Sequence, residues 1–156
     1  MAISRDYVLD FVRARENCDA ERLAAFLDDD VDWLLSGPVD FLPHCGHRKG
    51  KAAVIDMVCR IATDTFETRN FEMKHLLVQG DYAATLSRFH ATQAITKRTI
   101  SYSGAHFMRF RNDKLLWFRG LIDSLSATEQ VVGHELNLDY TPELISIAPD
   151  GELVEI

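Results

Sequence analysis

Apolar residues recur at helical spacing through the first third of the chain. Ser4 and Asp19 can each cap the start of a helix, and an Ala-rich segment follows the loop that ends at Gly50. The spacing therefore predicts a helix over residues 5 to 16, a shorter one after Asp19 and a third after Gly50. The predicted core positions of the three helices are Tyr7, Val8, Phe11 and Val12; Leu23, Phe26 and Leu27; and Val54, Met57, Val58 and Ile61.

An acidic run, Asp28 to Asp30, follows the second predicted helix. Carboxylates oppose the helix dipole at a C-terminus, so this run is expected to end the helix. Val31 to Leu35 then reads as a short strand. The Gly- and Pro-containing segment from Ser36 to Gly50 is predicted to be a loop.

From Glu72 onward the chain is rich in aromatic and β-branched residues. Turn signals at Gly80-Asp81 and Asn112-Asp113 separate predicted strands at 72 to 79, 82 to 97, 99 to 111 and 114 to 123. Ser126 and Glu129 can form a capping box for a last short helix that ends at Gly133. Helices first and hairpins afterwards predict an α+β fold, in which a cone-like, curved antiparallel sheet is covered by about three N-terminal helices and encloses a pocket.

Charge divides the chain into two parts. The formal net charge is −7, and six acidic residues with no Lys or Arg follow Gly133. We therefore expect one domain over residues 1–133 and an acidic extension over 134–156, in which 144 to 147 and 153 to 156 could form a small hairpin. An acidic chain lacks the basic surface that nucleic acid or an anionic membrane requires, so neither is expected as a partner.

The cysteines and the N-terminus indicate the compartment. Cys18, Cys45 and Cys59 form an odd set with no C-x-x-C pair, which favours reduced thiols over a disulfide framework. The first ten residues contain no apolar signal core, and no segment approaches the ~18 apolar residues of a membrane span. A cytoplasmic protein is the expectation.

Side chains alternate between the two faces of a strand, so strand pairing predicts which candidate catalytic side chains share a face of the sheet. If the long hairpins are centred near Arg98 and Asp113, His90 lies opposite His106, and His106 lies opposite Gly120. Arg88 then joins the two imidazoles on one face. Two histidines beside an arginine suggest proton transfer, with His90 and His106 as acid or base and Arg88 stabilising a developing oxyanion.

Three other polar or aromatic groups have competing interpretations. His44, Cys45 and His47 share a loop, but their spacing does not match a structural zinc site, so no metal is expected and they are placed at the pocket rim. Asp123 precedes the last helix and is expected to make a structural hydrogen bond rather than to act as a catalytic acid. Trp33 is expected to be a core residue that could line a pocket.

The order of elements and several local phrases resemble the nuclear transport factor 2-like superfamily, in particular its SnoaL-like polyketide cyclase branch. The resemblance covers roughly residues 5 to 133 and is carried by Phe11 to Asp19, Asp19-Ala20-Glu21-Arg22-Leu23 through Asp30, Gly50-Lys51-Ala52-Ala53-Val54, and Lys114 to Asp123. It implies a cone-shaped pocket that hosts many chemistries in different members. The residues then expected to bind a ligand are Phe11, Trp33, His44, Tyr102, Met108, Phe118, Gly120 and Ile122.

The catalytic sets of three enzyme types in the superfamily match this chain unequally. Ketosteroid isomerases would need other residues at Phe11, Leu35 and His106. Limonene-epoxide-hydrolase-like members would share Arg88 but not the carboxylates expected at His90 and Gly120. The pair His90 and His106 looks most like the two histidines of scytalone-dehydratase-like members.

These features lead to one preferred hypothesis and two alternatives. The preferred one is a cofactor-free isomerase, cyclase or dehydratase that acts by histidine acid/base chemistry on a small apolar carbonyl or hydroxy compound. The alternatives are a non-catalytic small-molecule-binding or carrier domain and a dimeric interaction module without a ligand. The resemblance also implies a homodimer through the outer sheet face, with Phe89, Phe107, Trp117 and Leu121 at the contact.

Overall fold

Five helices and a six-stranded sheet make up the domain in a computed structural model, which describes residues 2–137, 146–147 and 153–154. The helices are α1 (Arg5–Glu16), α2 (Ala20–Phe26), α3 (Lys51–Asp56), α4 (Ala62–Thr65) and α5 (Ser124–Val132), and a π-helical segment, Met57–Ile61, joins α3 to α4. The strands are β1 (Leu27–Ser36), β2 (Gly46–Lys49), β3 (Phe66–Gln79), β4 (Tyr82–Gln93), β5 (Thr99–Arg111) and β6 (Lys114–Ile122), with β7 (Ser146–Ile147) and β8 (Leu153–Val154) apart.

The predicted caps start the first two helices. Ser4 accepts a hydrogen bond from the Tyr7 amide at 3.1 Å, and Asp19 accepts one from the Arg22 amide at 3.0 Å. These bonds satisfy amides that have no partner within the helix. The last helix is capped by Asp123, whose carboxylate accepts from the Ser126 amide, and not by the predicted Ser126–Glu129 box.

The sheet has the order β2-β1-β6-β5-β4-β3 and is mixed. Neighbours pair antiparallel except β1 and β6, which pair parallel, so the prediction of a purely antiparallel sheet is wrong at this one place. Register shifts within the β3–β4, β1–β6 and β5–β6 pairs mark bulges. Bulges bend and twist a strand, which curves the sheet around the helices. The predicted α+β fold with a curved sheet is confirmed.

The second helix ends before the acidic run, as predicted, but the strand after it begins earlier than predicted. The helix ends at Phe26, and Asp28, Asp29 and Asp30 lie within β1. Val31, Trp33 and Leu35 alternate inward along this strand and are buried, so burial of that apolar face sets the strand. Lys51 forms an ion pair with Asp29 at 2.7 Å on the exposed side.

Two buried clusters fill the space between helices and sheet. The larger one includes Phe11 from α1, Leu23 from α2 and Phe110 from β5. The smaller one includes Ile100 from β5 and Val131 from α5. A cavity lies where they meet, because Trp33 and Phe118 of the larger cluster and Leu35, Phe66, Phe89 and Tyr102 of the smaller one all line it.

Two further observations concern membrane-spanning helices and the C-terminal extension. None of the helices in the described part of the chain has the length and apolar character needed to cross a membrane. β7 and β8 pair antiparallel through Ser146 with Val154 and Ile147 with Leu153. The rest of the predicted acidic extension from residue 138 onward lies outside the described residues.

Candidate functional site

The cavity between the two clusters has a volume of about 60 Å³, which restricts it to small molecules. Its walls are mostly aromatic and aliphatic, and no aspartate or glutamate belongs to the lining. The polar side chains that line it are Arg15, His44, Arg69, Ser87, Tyr102 and His106, together with the indole of Trp33.

The imidazole of His106 is fixed by a hydrogen bond to the neighbouring strand of the sheet. It lies on β5, is 6% exposed, and its Nδ1 is 3.0 Å from the Thr85 hydroxyl of β4. A hydroxyl can donate or accept, so Thr85 supports either tautomer. The other ring nitrogen, Nε2, has no hydrogen-bond partner among the described residues. Burial, with a smaller contribution from the positive charge of Arg15, lowers the pKa of His106 to about 3.

A second buried histidine is bonded to a tyrosine. Nε2 of His44 lies 3.0 Å from the hydroxyl oxygen of Tyr102, and both side chains line the cavity. Burial lowers the pKa of His44 to about 4, with Arg69 adding to the shift, and raises the pKa of Tyr102 above its ordinary value. Both groups are therefore neutral near pH 7. The pair can pass a proton during a reaction and carries no buried charge before the reaction begins.

Arg15 brings a cation to the cavity from the last turn of α1. Its guanidinium carbon lies 4.8 Å from the centre of the Phe71 ring and 5.7 Å from that of Phe118. No aspartate or glutamate of the described chain forms an ion pair with it, and burial lowers its pKa. An arginine nevertheless stays charged at ordinary pH, and the carboxylate of the adjacent Glu16 together with the two aromatic rings partly offsets its desolvation.

Two glycines make room around His106. A side chain at Gly120 would collide with Leu35 and come within 3.1 Å of the His106 ring, while one at Gly104 would lie 3.7 Å from that ring. Trp33 stacks on Phe118 with ring centres 3.7 Å apart and planes at 4°. This flat pair forms one wall, and the gap left by the glycines keeps the imidazole reachable from the cavity.

Most of the residues expected to bind a ligand are in or beside this cavity. Trp33, His44, Tyr102, Phe118 and Ile122 line it together with His106. The predicted pairing of His106 with Gly120 is confirmed. Phe11 and Met108 are instead buried in the larger cluster and do not line the cavity. Whether any of these side chains binds a ligand stays a prediction.

The predicted convergence of His90 and Arg88 with His106 is wrong. Thr85, and not His90, lies opposite His106, and His90 lies opposite Ser101. His90 is on the outer face, where its side chain is 43% exposed and 4.0 Å from Glu72. Arg88 is on the same outer face and donates hydrogen bonds to the hydroxyl groups of Ser101 and Ser103, at 2.8 and 3.2 Å.

The position of one turn explains this error. Thr92 pairs with Thr99, so the β4–β5 hairpin is centred between Ile95 and Thr96 rather than at Arg98. The hairpin centre thus lies two and a half residues before the predicted one, so the partner of each β5 residue changes by five positions along β4. Because five is odd, the two faces of β4 are exchanged. The turn contains no glycine, and its left-handed position is taken by Lys97 at φ 60°, which no sequence signal marks.

The same exchange of faces moves one of the four predicted dimer residues. Phe89 lies inside, 4% exposed, with its ring centre 5.0 Å from that of Tyr102. Phe107 and Leu121 are on the outer face as predicted and are exposed, and Trp117 is half-buried there. Phe89 is therefore removed from the expected contact, because it is a wall of the cavity.

Sequence reasoning missed four polar residues of the site. Thr85 and Ser87 alternate with Arg88 and His90 along β4, so the wrong hairpin register left them out of the site, and Arg69 lies before the predicted start of β3. Arg15 could have been found. It follows Val8, Phe11 and Val12 at helical spacing and therefore shares the buried stripe of α1.

The loop histidines are separated by the fold. His44 is buried beside Tyr102, whereas His47 lies in β2 and pairs with Asp32 at 2.6 Å on the exposed side. Within residues 2–137 and the two short tail strands, no group of three or more His, Cys, Asp or Glu side chains is placed to hold a metal ion. Of the three residues predicted at the pocket rim, His44 lines the cavity, whereas Cys45 and His47 do not.

Comparisons with known proteins agree with this architecture. The sequence profile of the SnoaL-like domain matches residues 8–117. A structure from Rhodopseudomonas palustris, described as a candidate isomerase, is 34% identical with a TM-score of 0.71 over 82% of this chain and 94% of that one. A search among curated proteins finds no match.

More distant structures share the fold. A nuclear transport factor 2-like protein from Burkholderia xenovorans is 22% identical, with a TM-score of 0.66 over 79% of this chain and 93% of that one. A candidate SnoaL-like polyketide cyclase from Shewanella denitrificans is 13% identical, with a TM-score of 0.70 over 83% and 97%. With more than half of its length matched by the family profile, the chain belongs to the SnoaL-like domain family.

Proposed function

We propose that this protein is a cofactor-free isomerase, cyclase or dehydratase that acts on a small apolar carbonyl or hydroxy compound, with His106 as the proton carrier. The observation that carries the proposal is the state of that imidazole. It is buried, neutral, held at Nδ1 by Thr85 and without a protein partner at Nε2, in a cavity with apolar walls.

The chemistry follows from these neighbours. Nε2 of a neutral His106 would take a proton from the carbon next to a carbonyl group, and the electron pair of that C–H bond would move onto the carbonyl oxygen. The positive charge of Arg15, which already acts on His106, would stabilise the resulting enolate. Return of the proton to a different carbon gives isomerisation, and its transfer to a departing hydroxyl group gives dehydration.

The pair His44–Tyr102 offers a second proton path. The neutral Tyr102 hydroxyl can donate to a substrate oxygen while its partner His44 supplies or receives a proton at 3.0 Å. General acid/base catalysis of this kind contributes typically ~10²- to 10⁴-fold. His106 and His44–Tyr102 would thus act on one substrate in the same cavity.

One observation favours a non-catalytic carrier as the second candidate function. The lining contains no carboxylate, and an imidazole with a pKa of about 3 is a weak base until a ligand alters its surroundings. A carrier needs only the apolar walls and a few polar contacts, which the cavity has.

Proton exchange tests the proposal without knowledge of the natural substrate. One-ring ketones are incubated with the protein in D₂O, and deuterium incorporation next to the carbonyl group is followed by NMR. We expect the wild type to accelerate exchange for at least one ketone, and His106→Gln to lower that rate by roughly 10²-fold or more.

His90→Gln is the matched control, because it changes an exposed histidine on the opposite face of the sheet. Its exchange rate should equal that of the wild type. Binding without exchange in the wild type would favour the carrier. An undiminished rate in His106→Gln would remove His106 from the mechanism.

A further inference from the structure

Three enclosed side-chain nitrogen atoms have no hydrogen-bond partner in the described part of the chain. They are Nε of Arg15, Nε1 of Trp33 and Nδ1 of His44. All three residues line the cavity described above. Buried polar groups are nearly always bonded, so three unpaired ones around a single cavity point to a ligand rather than to imperfect packing.

The chemistry of these atoms restricts the ligand. Arginine and tryptophan nitrogen atoms only donate hydrogen bonds, and Trp33 is 2% exposed, so only a molecule inside the cavity can bind its indole N–H. A ligand that satisfies them must carry acceptor atoms. Nδ1 of His44 can donate or accept, because its tautomer follows the bond that Nε2 makes with Tyr102.

Charge restricts the ligand further. Arg15 and Arg69 both line the cavity and lie close enough for each to act on the other, but no lining residue is an aspartate or glutamate. Arg69 donates to the carbonyl oxygen of Val58 and to the thiol of Cys18, while the Arg15 side chain donates no hydrogen bond to a described residue. The carboxylate of the adjacent Glu16 acts on Arg15, but Glu16 does not line the cavity. The guanidinium therefore has no carboxylate partner on the cavity side.

The shape of the walls completes the description. Phe71 and Phe118 contact the Arg15 guanidinium, and Trp33 stacks flat on Phe118. A planar ring lying along these aromatic faces would place an attached oxygen next to the guanidinium. The enclosed volume of about 60 Å³ is smaller than a benzene-sized ring needs, so the ligand has at most one ring and the walls must move apart to admit it.

We infer that the ligand of this cavity is a small aromatic or similarly planar anion, whose carboxylate or enolate-type oxygen is bound by Arg15 with Trp33 as a further donor. This deepens the proposed function and rests on it for the location of the site. It defines the substrate class as acidic rather than merely apolar. Arg15 is then a binding residue that fixes the ligand relative to His106.

Matched pairs of probes test the inference. Benzoate and benzamide have nearly the same shape, but only benzoate is an anion; 4-nitrophenolate and nitrobenzene form a second pair for a phenolate oxygen. Binding is measured by titration calorimetry and by NMR of the Trp33 indole N–H, with no turnover involved. We expect at least one anion to bind about 10- to 100-fold more tightly than its neutral partner.

Arg15→Met keeps an apolar side chain between the aromatic rings and removes the charge. In this variant the preference for the anion should disappear while the affinity for the neutral probe changes little. Arg88→Met is the matched control, since Arg88 lies on the outer face and should not affect either probe. If Arg15→Met does not fold, comparing the affinities of the anionic and neutral probes for the wild type still tests whether the cavity prefers anions.

Equal affinity of anion and neutral partner in both pairs, or no binding of either anion, would overturn the inference. So would an anion preference that survives Arg15→Met. A protein that prefers anions but exchanges no protons would retain this inference and lose the proposed catalysis, so the two failures are distinguishable.

Discussion

At the scale of single residues, the site depends on groups that burial keeps neutral. His44 and His106 are inside the domain and close to the cations Arg69 and Arg15, so desolvation first and charge repulsion second disfavour their protonated forms. Their neutrality near pH 7 is what makes them usable as proton acceptors. It also has a consequence for stability.

The free energy of unfolding should fall as the pH falls below 6.5. In the unfolded chain each imidazole takes up a proton near pH 6.5, while in the fold His44 does so only at about pH 4 and His106 at about pH 3. Between these values unfolding binds protons, so acid favours the unfolded state. One such imidazole accounts for about 2 kcal/mol of lost stability between pH 7 and pH 5.

Urea unfolding at pH 7 and pH 5 measures this loss. His106→Gln should reduce the difference between the two pH values by about 2 kcal/mol, because glutamine does not titrate. His90→Gln is the control for replacing a histidine at an exposed position. An unchanged pH dependence in His106→Gln would contradict the burial of a neutral imidazole.

At the scale of elements, close approach between neighbouring strands positions the reactive group. Gly120 of β6 pairs with His106 of β5, and Gly104 of β5 pairs with Ile122 of β6. Neither glycine has a side chain that would press on the His106 ring. The bulge at Arg109 and Phe110 adjusts the register so that His106 still meets Gly120. The second long hairpin therefore has the pairing that sequence predicted, and the first does not.

Gly120→Ala should cost about 1–3 kcal/mol of stability, because the new methyl group overlaps with Leu35 and presses on His106. Gly104→Ala, whose methyl group would have no neighbour closer than 3.3 Å, should cost less. Urea unfolding of both variants makes the comparison. A Gly120→Ala protein as stable as the wild type would show that the strands can move apart there.

At the scale of the whole molecule, the curved sheet has an inner face that forms the cavity and an outer face that is partly apolar. Phe107 is 48% exposed and Leu121 is 57% exposed on that outer face. Apolar side chains grouped on one face of a sheet favour association with another protein surface. A homodimer through this face remains our expectation, with Phe107, Trp117 and Leu121 at the contact.

Phe107→Asp combined with Leu121→Asp should convert such a homodimer to a monomer, because two carboxylates per subunit would be buried without partners. Size-exclusion chromatography with light scattering at several concentrations measures the mass. Ile95→Asp is the control, since Ile95 is exposed in a turn away from this face. A wild type that is monomeric at all concentrations would contradict the expectation.

The sequence by itself determined the fold class and part of the cavity wall. Helical spacing and caps located α1 and α2, and alternation with turn signals located β4 to β6, because these signals are local. The resemblance to SnoaL-like domains added the pocket, and Trp33, His44, Tyr102, Phe118 and Ile122 do line it.

Only the tertiary structure decided which charged and polar groups enter that pocket. The face of β4 depends on a turn centre that no glycine marks, and an error of two and a half residues in that centre placed His90 and Arg88 on the inner face, where Thr85 and Ser87 lie. Helical spacing places Arg15 on the buried stripe of α1, but its position beside Phe71 and Phe118 results from packing between distant elements. Long-range register and packing, which a local pattern does not encode, therefore set the chemistry of the site.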